Sequence, residues 1–187
     1  MQYVSIDFET ANSFKGSACS IGMARHDENG EVLDTYYHLI CPHTRFFDGE
    51  MTAIHNLSPR DCIASPTFDK LEKDIREFIN GDLLVAHFAM FDIGVLKGCY
   101  EAYNMTVPNY RYADSIDAAR LIGRKFENYK LTTLSEALNL DYNAHVAIDD
   151  AINCGLIFAM GCKGHLSSLD ELQFYFSANS KKIKQIF

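Results

Sequence analysis

The sequence predicts one α/β domain, a mixed sheet covered by helices, on three observations. The chain has 187 residues, which suits one domain and leaves little room for a second. Its composition is 48% hydrophobic, with 13 Phe and 10 Tyr, ample for a buried core and unlike a disordered chain. Its periodic segments run strand, strand, strand, helix, strand, helix, strand, helices. Closely linked strands leading into αβα units make a mixed sheet flanked by helices.

Residues 2–8, QYVSIDF, mix apolar and polar positions as a strand does. ACSIGMAR at 18–25 and VLDTYYHLI at 32–40 are the next two strands, and Asn29-Gly30 between them suits a tight hairpin turn. Together these three form an antiparallel meander. The stretch from Cys41 to Thr67 reads as loop with a short helix near Thr52–Leu57. Helical spacing begins at Phe68, with Leu71, Ile75, Phe78 and Ile79 on one face and Asn80-Gly81 as the stop. LLVAHF at 83–88 is a short apolar strand, followed by a helix over 92–103. YRYAD at 110–114 is an edge-like strand and 115–122 a helix. Thr133 and Glu136 fit a capping box for a helix over 134–139. A strongly apolar helix runs from Ala147 to Met160. The tail, LQFYFSA then KKIKQIF, reads equally as an extra strand or a docking peptide. The expected division is a domain over 1–165 and a C-terminal extension over 166–187, which joins that domain or serves as a docking tail.

The formal charge is −8, from 25 acidic and 17 basic residues. Net acidity argues against tight passive binding to a phosphate backbone. It leaves open an enzyme that meets a polynucleotide through divalent cations, which invert the local charge. The six cysteines are not spaced as C-x-x-C and read as reduced core residues. No apolar run reaches the length of about 18 residues that spans a membrane. The expectation is a cytoplasmic protein without a membrane partner.

Asp7 and Glu9 stand two apart in a strand, so both carboxylates project from one face. Two like charges on a mostly buried strand are costly unless a cation joins them. Asp92 begins the helix after the fourth strand, where a helix-start role alone would explain it. Asp149 and Asp150 both open the last apolar helix, and physical chemistry does not choose between them. His145 lies five residues earlier, in the entering loop. Together these groups suit a two-metal site: hard carboxylate oxygens hold ions about 4 Å apart. A neutral His beside the water accepts its proton near pH 7.

Three motifs carry a resemblance: Asp7-Phe8-Glu9-Thr10, His87-Phe88-Ala89-Met90-Phe91-Asp92, and His145-Val146-Ala147-Ile148-Asp149-Asp150-Ala151. In this order the chain resembles the DnaQ-like 3′–5′ exonucleases with four acidic residues and a His, the DEDDh group. Three linking segments match as well: Ser65-Pro66-Thr67-Phe68, Asp114-Ser115-Ile116-Asp117-Ala118-Ala119-Arg120 and Lys130-Leu131-Thr132-Thr133-Leu134. The likeness covers roughly residues 2–160 and is greatest to the proofreading exonuclease of bacterial replicative polymerases.

The resemblance implies a ribonuclease H-like fold with a five-stranded mixed sheet. It aligns Asp150, rather than Asp149, with the fourth acidic ligand. It implies that Asp7, Glu9, Asp92 and Asp150 hold two Mg²⁺ or Mn²⁺ ions and that His145 deprotonates the attacking water. Thr10, Phe14 and Phe88 become candidate contacts to the terminal nucleotide. His87 and His55 are expected to be structural or to support the site, and Asp114 to be a solvated strand-end residue. The implied partner is a nucleic acid with a free single-stranded 3′ end, and a DNA polymerase or repair complex is a candidate host. DNA is the expected substrate; an RNA-trimming enzyme, an internally cutting nuclease and a non-catalytic subunit are the rivals. Three positions depart from the family pattern: Phe88 replaces Asn, Ala11-Asn12 replaces Thr-Gly, and His55-Asn56-Leu57-Ser58 replaces H-G-I-T. These departures bear on substrate preference rather than on hydrolysis.

Overall fold

A computed structural model describes residues 1–186. Strands β1 (Tyr3–Thr10), β2 (Ala18–His26) and β3 (Val32–Leu39) form the expected antiparallel meander. The β2–β3 turn is wider than a two-residue hairpin. The Asp27 carboxylate accepts from the amides of Asn29 and Glu31, and Gly30 sits at φ 88°. Strands β4 (Leu83–Ala86) and β5 (Arg111–Asp114) add in parallel, giving the order β3-β2-β1-β4-β5-β6. The sheet has six strands rather than five, because the two-residue β6 (Lys184–Gln185) pairs antiparallel with the edge of β5.

Two short helices follow β3: α1 (Gly49–His55), where one was expected near Thr52–Leu57, and α2 (Pro59–Cys62). Alternation along β1 decides what covers each face. Val4, Ile6 and Phe8 point into a core shared with α3 (Phe68–Ile79) and α4 (Met90–Ala102). Tyr3 points the other way, into a core with α7 (Ala147–Gly161) and α8 (Leu169–Ala178). Asp7 and Glu9 share that second face, at the end where β1 leaves the core. Gly22 lies directly opposite Asp7 in the β1–β2 ladder. A Cβ there would collide with the Ala147 backbone, so the missing side chain lets the start of α7 approach the strand that carries Asp7.

Two expectations are corrected here. The helix expected from a Thr133 capping box instead spans Leu131–Ala137 as α6, with Lys130 at its N-cap in extended conformation. The tail segment 172–178 is helical rather than a strand, while the extra strand expected of the tail is present as β6 at Lys184–Gln185. Ser168 caps α8 by accepting from the Glu171 amide, and Leu172 and Phe176 are fully buried beside Phe158. All six cysteines are buried and free. Among the described residues no helix is long and apolar enough to cross a membrane.

Candidate active site

The parallel strands β1, β4 and β5 end at one edge of the sheet, the usual location of a site in an α/β fold. Asp7 and Glu9 come from the end of β1. Asp92 comes from the first turn of α4, two residues inside the helix that follows β4. Asp150 comes from the first turn of α7. Asp7 is only partly accessible, and Asp92 and Asp150 are 1% and 5% exposed. Ligand atoms of Glu9, His145 and Asp150 all lie within 4.8 Å of one another.

Each carboxylate has a local reason for its position. Asp92 Oδ1 accepts from the Phe8 amide at 3.0 Å, which ties α4 to the strand between Asp7 and Glu9. Asp150 Oδ2 accepts from the His145 amide at 3.1 Å, and Oδ1 accepts from the Tyr142 hydroxyl. These two bonds fold the 142–145 loop back onto the start of α7, with His145 in the left-handed region at φ 66°. Asp149 instead lines a separate hollow with Asp141, Asn143, Ile152 and Asn153. The structure thus places Asp150 with Asp7 and turns Asp149 away.

Asp114 is more than a solvated strand end. It accepts from the amides of Phe88 and Ala89 at 3.2 and 3.0 Å and from Ile116 at 2.9 Å. It therefore fixes the turn before Asp92 and caps α5 (Ser115–Ala119). His87 makes a second brace. Its Nε2 lies 2.8 Å from the Tyr129 carbonyl and its Nδ1 2.7 Å from Ser115 Oγ. Burial lowers its pKa, so the ring is neutral: Nε2–H donates to the carbonyl and Nδ1 accepts from the hydroxyl. His55 braces Thr10, its Nε2 donating to the Thr10 carbonyl at 3.2 Å while Nδ1 accepts from the Leu57 amide.

Electrostatically the group is strained. Burial, then the neighbouring charges of Asp150 and Asp92, pushes Glu9 up to about 8. Burial also pushes Asp92 up to about 8, against the opposing hydrogen bond from Phe8. Asp7 is raised well above the carboxylate range by burial and by Asp92, Asp150 and Glu9. Asp150 is raised by burial despite its bond from Tyr142. Among the described residues no Lys or Arg forms an ion pair with any of the four.

Asp7 and Asp150 open onto a cleft of ≈ 380 Å³ whose other lining residues are His145, His87, Tyr142 and the segment Lys130–Thr132. Thr10 is buried beside this cleft and does not line it. Phe14 and Phe88 are 50% and 57% exposed and also lie outside the lining. Phe88 stands at φ 58°, a conformation that favours Gly or Asn and is strained for an aromatic residue.

A model of the RNase_T exonuclease family matches residues 4–158. The chain belongs to that exonuclease family. Among its relatives, the 3′-5′ exonuclease DinG of Bacillus subtilis is 30% identical over 162 residues, 84% of this chain and 17% of that protein. The PolC-type DNA polymerase III of Clostridium perfringens is 27% identical over 153 residues, 80% of this chain and 10% of that protein. The chain thus spans less than a fifth of either relative. The exonuclease fold is shared with solved structures. The nuclease domain of 3′hExo, a DEDDh family member bound to rAMP, has a TM-score of 0.72 at 14% identity and covers 100% of this chain and 96% of its own. Exonuclease X in complex with 5′-overhanging duplex DNA has a TM-score of 0.65 at 21% identity and covers 87% and 93%. The fold is therefore the expected ribonuclease H-like one, with an added edge strand.

Within this candidate site, Tyr142 carried no expectation from the sequence, and neither Lys130 nor Thr132 was assigned to the cleft. Tyr142 carries no motif signal; only its bond to Asp150 reveals it. Lys130 and Thr132 sit inside a linking segment that matched the family pattern, and their place in the lining comes from the brace of His87 on Tyr129.

Proposed function

We propose that the chain is a 3′–5′ exonuclease that removes 5′-mononucleotides from single-stranded DNA with two divalent cations, Mg²⁺ or Mn²⁺. The observation that carries this reading is the convergence of Asp7, Glu9, Asp92 and Asp150, unpaired by any Lys or Arg among the described residues, at the base of a cleft that Asp7 and Asp150 line. Buried, mutually repelling carboxylates call for positive charge, and hard oxygen donors suit Mg²⁺ or Mn²⁺. The site chemistry fits the group that the family implies.

Asp7, Glu9, Asp92 and Asp150 would hold the ions. When bound, the ions supply an acidified water and stabilise charge on the leaving oxygen. His145 lies exposed at the cleft edge with its ring near Glu9 and Asp150. Its role is to accept the proton of the attacking water; water oxygen bonds to phosphorus as the bond to the 3′ oxygen of the preceding nucleotide breaks. Tyr142 orients Asp150 through its hydroxyl. Thr10, its carbonyl taken by His55, supports the strand end beside Glu9 rather than facing the cleft, and Phe14 and Phe88 offer exposed rings to bases. DNA is favoured over RNA by the DNA-polymerase relative. A polymerase or repair complex is the host we propose, and the cytoplasm its location.

The test uses single-stranded DNA and RNA labelled at either end, with Mg²⁺ or Mn²⁺, and compares wild type, Asp7→Ala and His145→Ala. Stepwise loss from the 3′ end of DNA is expected, abolished by EDTA and by Asp7→Ala. His145→Ala should be slower by about 10²-fold or more, the usual contribution of a general base. Activity without metal, or unchanged in Asp7→Ala, would sink the proposal. Faster loss from RNA would transfer it to the RNA-trimming alternative, and long internal fragments to an endonuclease.

A further inference from the structure

Lys130 is the only Lys or Arg among the residues that line the catalytic cleft. It is exposed and forms no ion pair among the described residues, although Asp7 and Asp150 line the same space. Its backbone is held rather than loose. The Lys130 amide donates to Asn128 Oδ1 at 2.9 Å, and the preceding Tyr129 carbonyl accepts from the half-buried His87 at 2.8 Å. The guanidinium of Arg120 lies 5.3 Å from the centre of the Tyr129 ring and packs the same segment from outside. Thr132, exposed one turn position further on, adds a hydroxyl to the same wall.

An acidic cleft in a chain of charge −8 repels a polyanion at every phosphate that no cation meets. The carboxylate group with its ions accounts for the scissile phosphate alone. A cation fixed on the facing wall, within the same cleft yet unpaired with its acids, is placed to meet a phosphate of the incoming strand. We propose that Lys130, with Thr132 beside it, is a backbone-phosphate contact that seats a single-stranded polynucleotide in the cleft. This inference rests on the exonuclease reading for the direction of the strand, but not for the contact itself. A phosphate contact carries no base information, so the effect should be uniform across sequences.

The experiment measures kcat/KM on single-stranded oligonucleotides, and binding of a fluorescent oligonucleotide in EDTA, over a range of KCl concentrations. It compares wild type, Lys130→Ala and Lys130→Arg. At low salt, Lys130→Ala should weaken binding about two- to fivefold, as expected for one exposed charge pair. The slope of log affinity against log salt should become shallower by about 0.7, the value for one phosphate on a single strand. Lys130→Arg should restore the slope. A probe whose backbone is uncharged methylphosphonate should bind wild type and Lys130→Ala alike. An unchanged slope in Lys130→Ala, or equal loss on the uncharged probe, overturns the assignment. Wild type that binds with the Lys130-dependent slope but releases no nucleotide overturns the exonuclease reading alone. Unchanged thermal melting of Lys130→Ala excludes a folding defect as the cause.

Discussion

The base of the cleft and its walls obey different physics. At the base, four carboxylates are drawn from three elements into one buried group that is unfavourable on its own. Asp92 is 1% exposed, Asp150 is 5% exposed, and Glu9 and Asp92 are both pushed up to about 8. On the walls, Lys130, Thr132 and His145 are exposed, and Phe88 and Phe14 stand beyond them at half exposure or more. The base gives up stability for charge density. The wall groups are exposed and contribute little to folding. His145, the base we propose, belongs to this exposed wall yet lies against Glu9 and Asp150, so the proposed chemistry would draw on both regions.

The largest expected effect tests the cost of the base. In metal-free protein the raised carboxylates keep their protons when folded and lose them when unfolded, over the range between their ordinary values of 3.8 to 4.5 and about 8. The folded state then binds more protons, so stability falls as pH rises through that range. Melting of the EDTA-treated protein should therefore decline from pH 5 to pH 8, and Mg²⁺ or Mn²⁺ should reverse the decline. Asp7→Asn removes one group that must take up a proton to fold and should melt higher than wild type in EDTA at pH 8, by about 2–4 °C for each kcal/mol of that cost removed. The same variant should lose activity by roughly 10³-fold. A variant less stable than wild type under those conditions would mean that the acids are not strained.

A smaller effect is expected where wall meets base. Tyr142 lines the cleft and donates to Asp150 Oδ1. Tyr142→Phe keeps the ring and removes only that bond. Loss of a partner that orients a metal-binding carboxylate commonly costs 10–100-fold in affinity or activity, so about tenfold lower activity is expected. The concentration of Mg²⁺ or Mn²⁺ for half-maximal activity should rise with it. Unchanged metal dependence would confine Tyr142 to the wall.

The same division explains what the sequence disclosed. Asp7, Glu9, Asp92, Asp150 and His145 stand in short motifs because strand alternation and helix starts fix where their side chains point. Choosing Asp150 over Asp149 needed the family register, and the structure shows the physical difference: one accepts from the His145 amide, the other faces a separate hollow. Asp114 looked dispensable because its partners, the amides of Phe88, Ala89 and Ile116, are backbone groups that leave no mark in sequence. Tyr142 acts through a loop with no periodicity. LQFYFSA carried aromatic residues that suit a strand, yet Ser168 capping and the burial of Leu172 and Phe176 make it a helix. The extra strand that the tail offered is present as β6, but it is only two residues long, too short for its pattern to fix where in the tail it lies.

The smallest expected effect lies beyond the walls, at Phe88. Two family positions differ here in opposite ways. Asn56 stands where the family has Gly, at φ 60°, and Asn tolerates that conformation. Phe88 stands where the family has Asn, at φ 58°, and carries a strain of about 1–2 kcal/mol. Its amide is held to Asp114, so the turn survives the substitution. The ring is 57% exposed, which offers no burial to offset the strain. If the ring stacks on a base, as we propose, that contact is worth about 1–3 kcal/mol and outweighs the strain. Phe88→Asn should therefore melt about 2–4 °C higher, for roughly 1 kcal/mol of strain relieved, while KM for single-stranded substrate rises about tenfold at little change in kcat. The two readouts must move apart. If stability rises and KM holds, Phe88 is strained without a role in binding; if stability falls, the ring makes packing contacts that its exposure does not reveal.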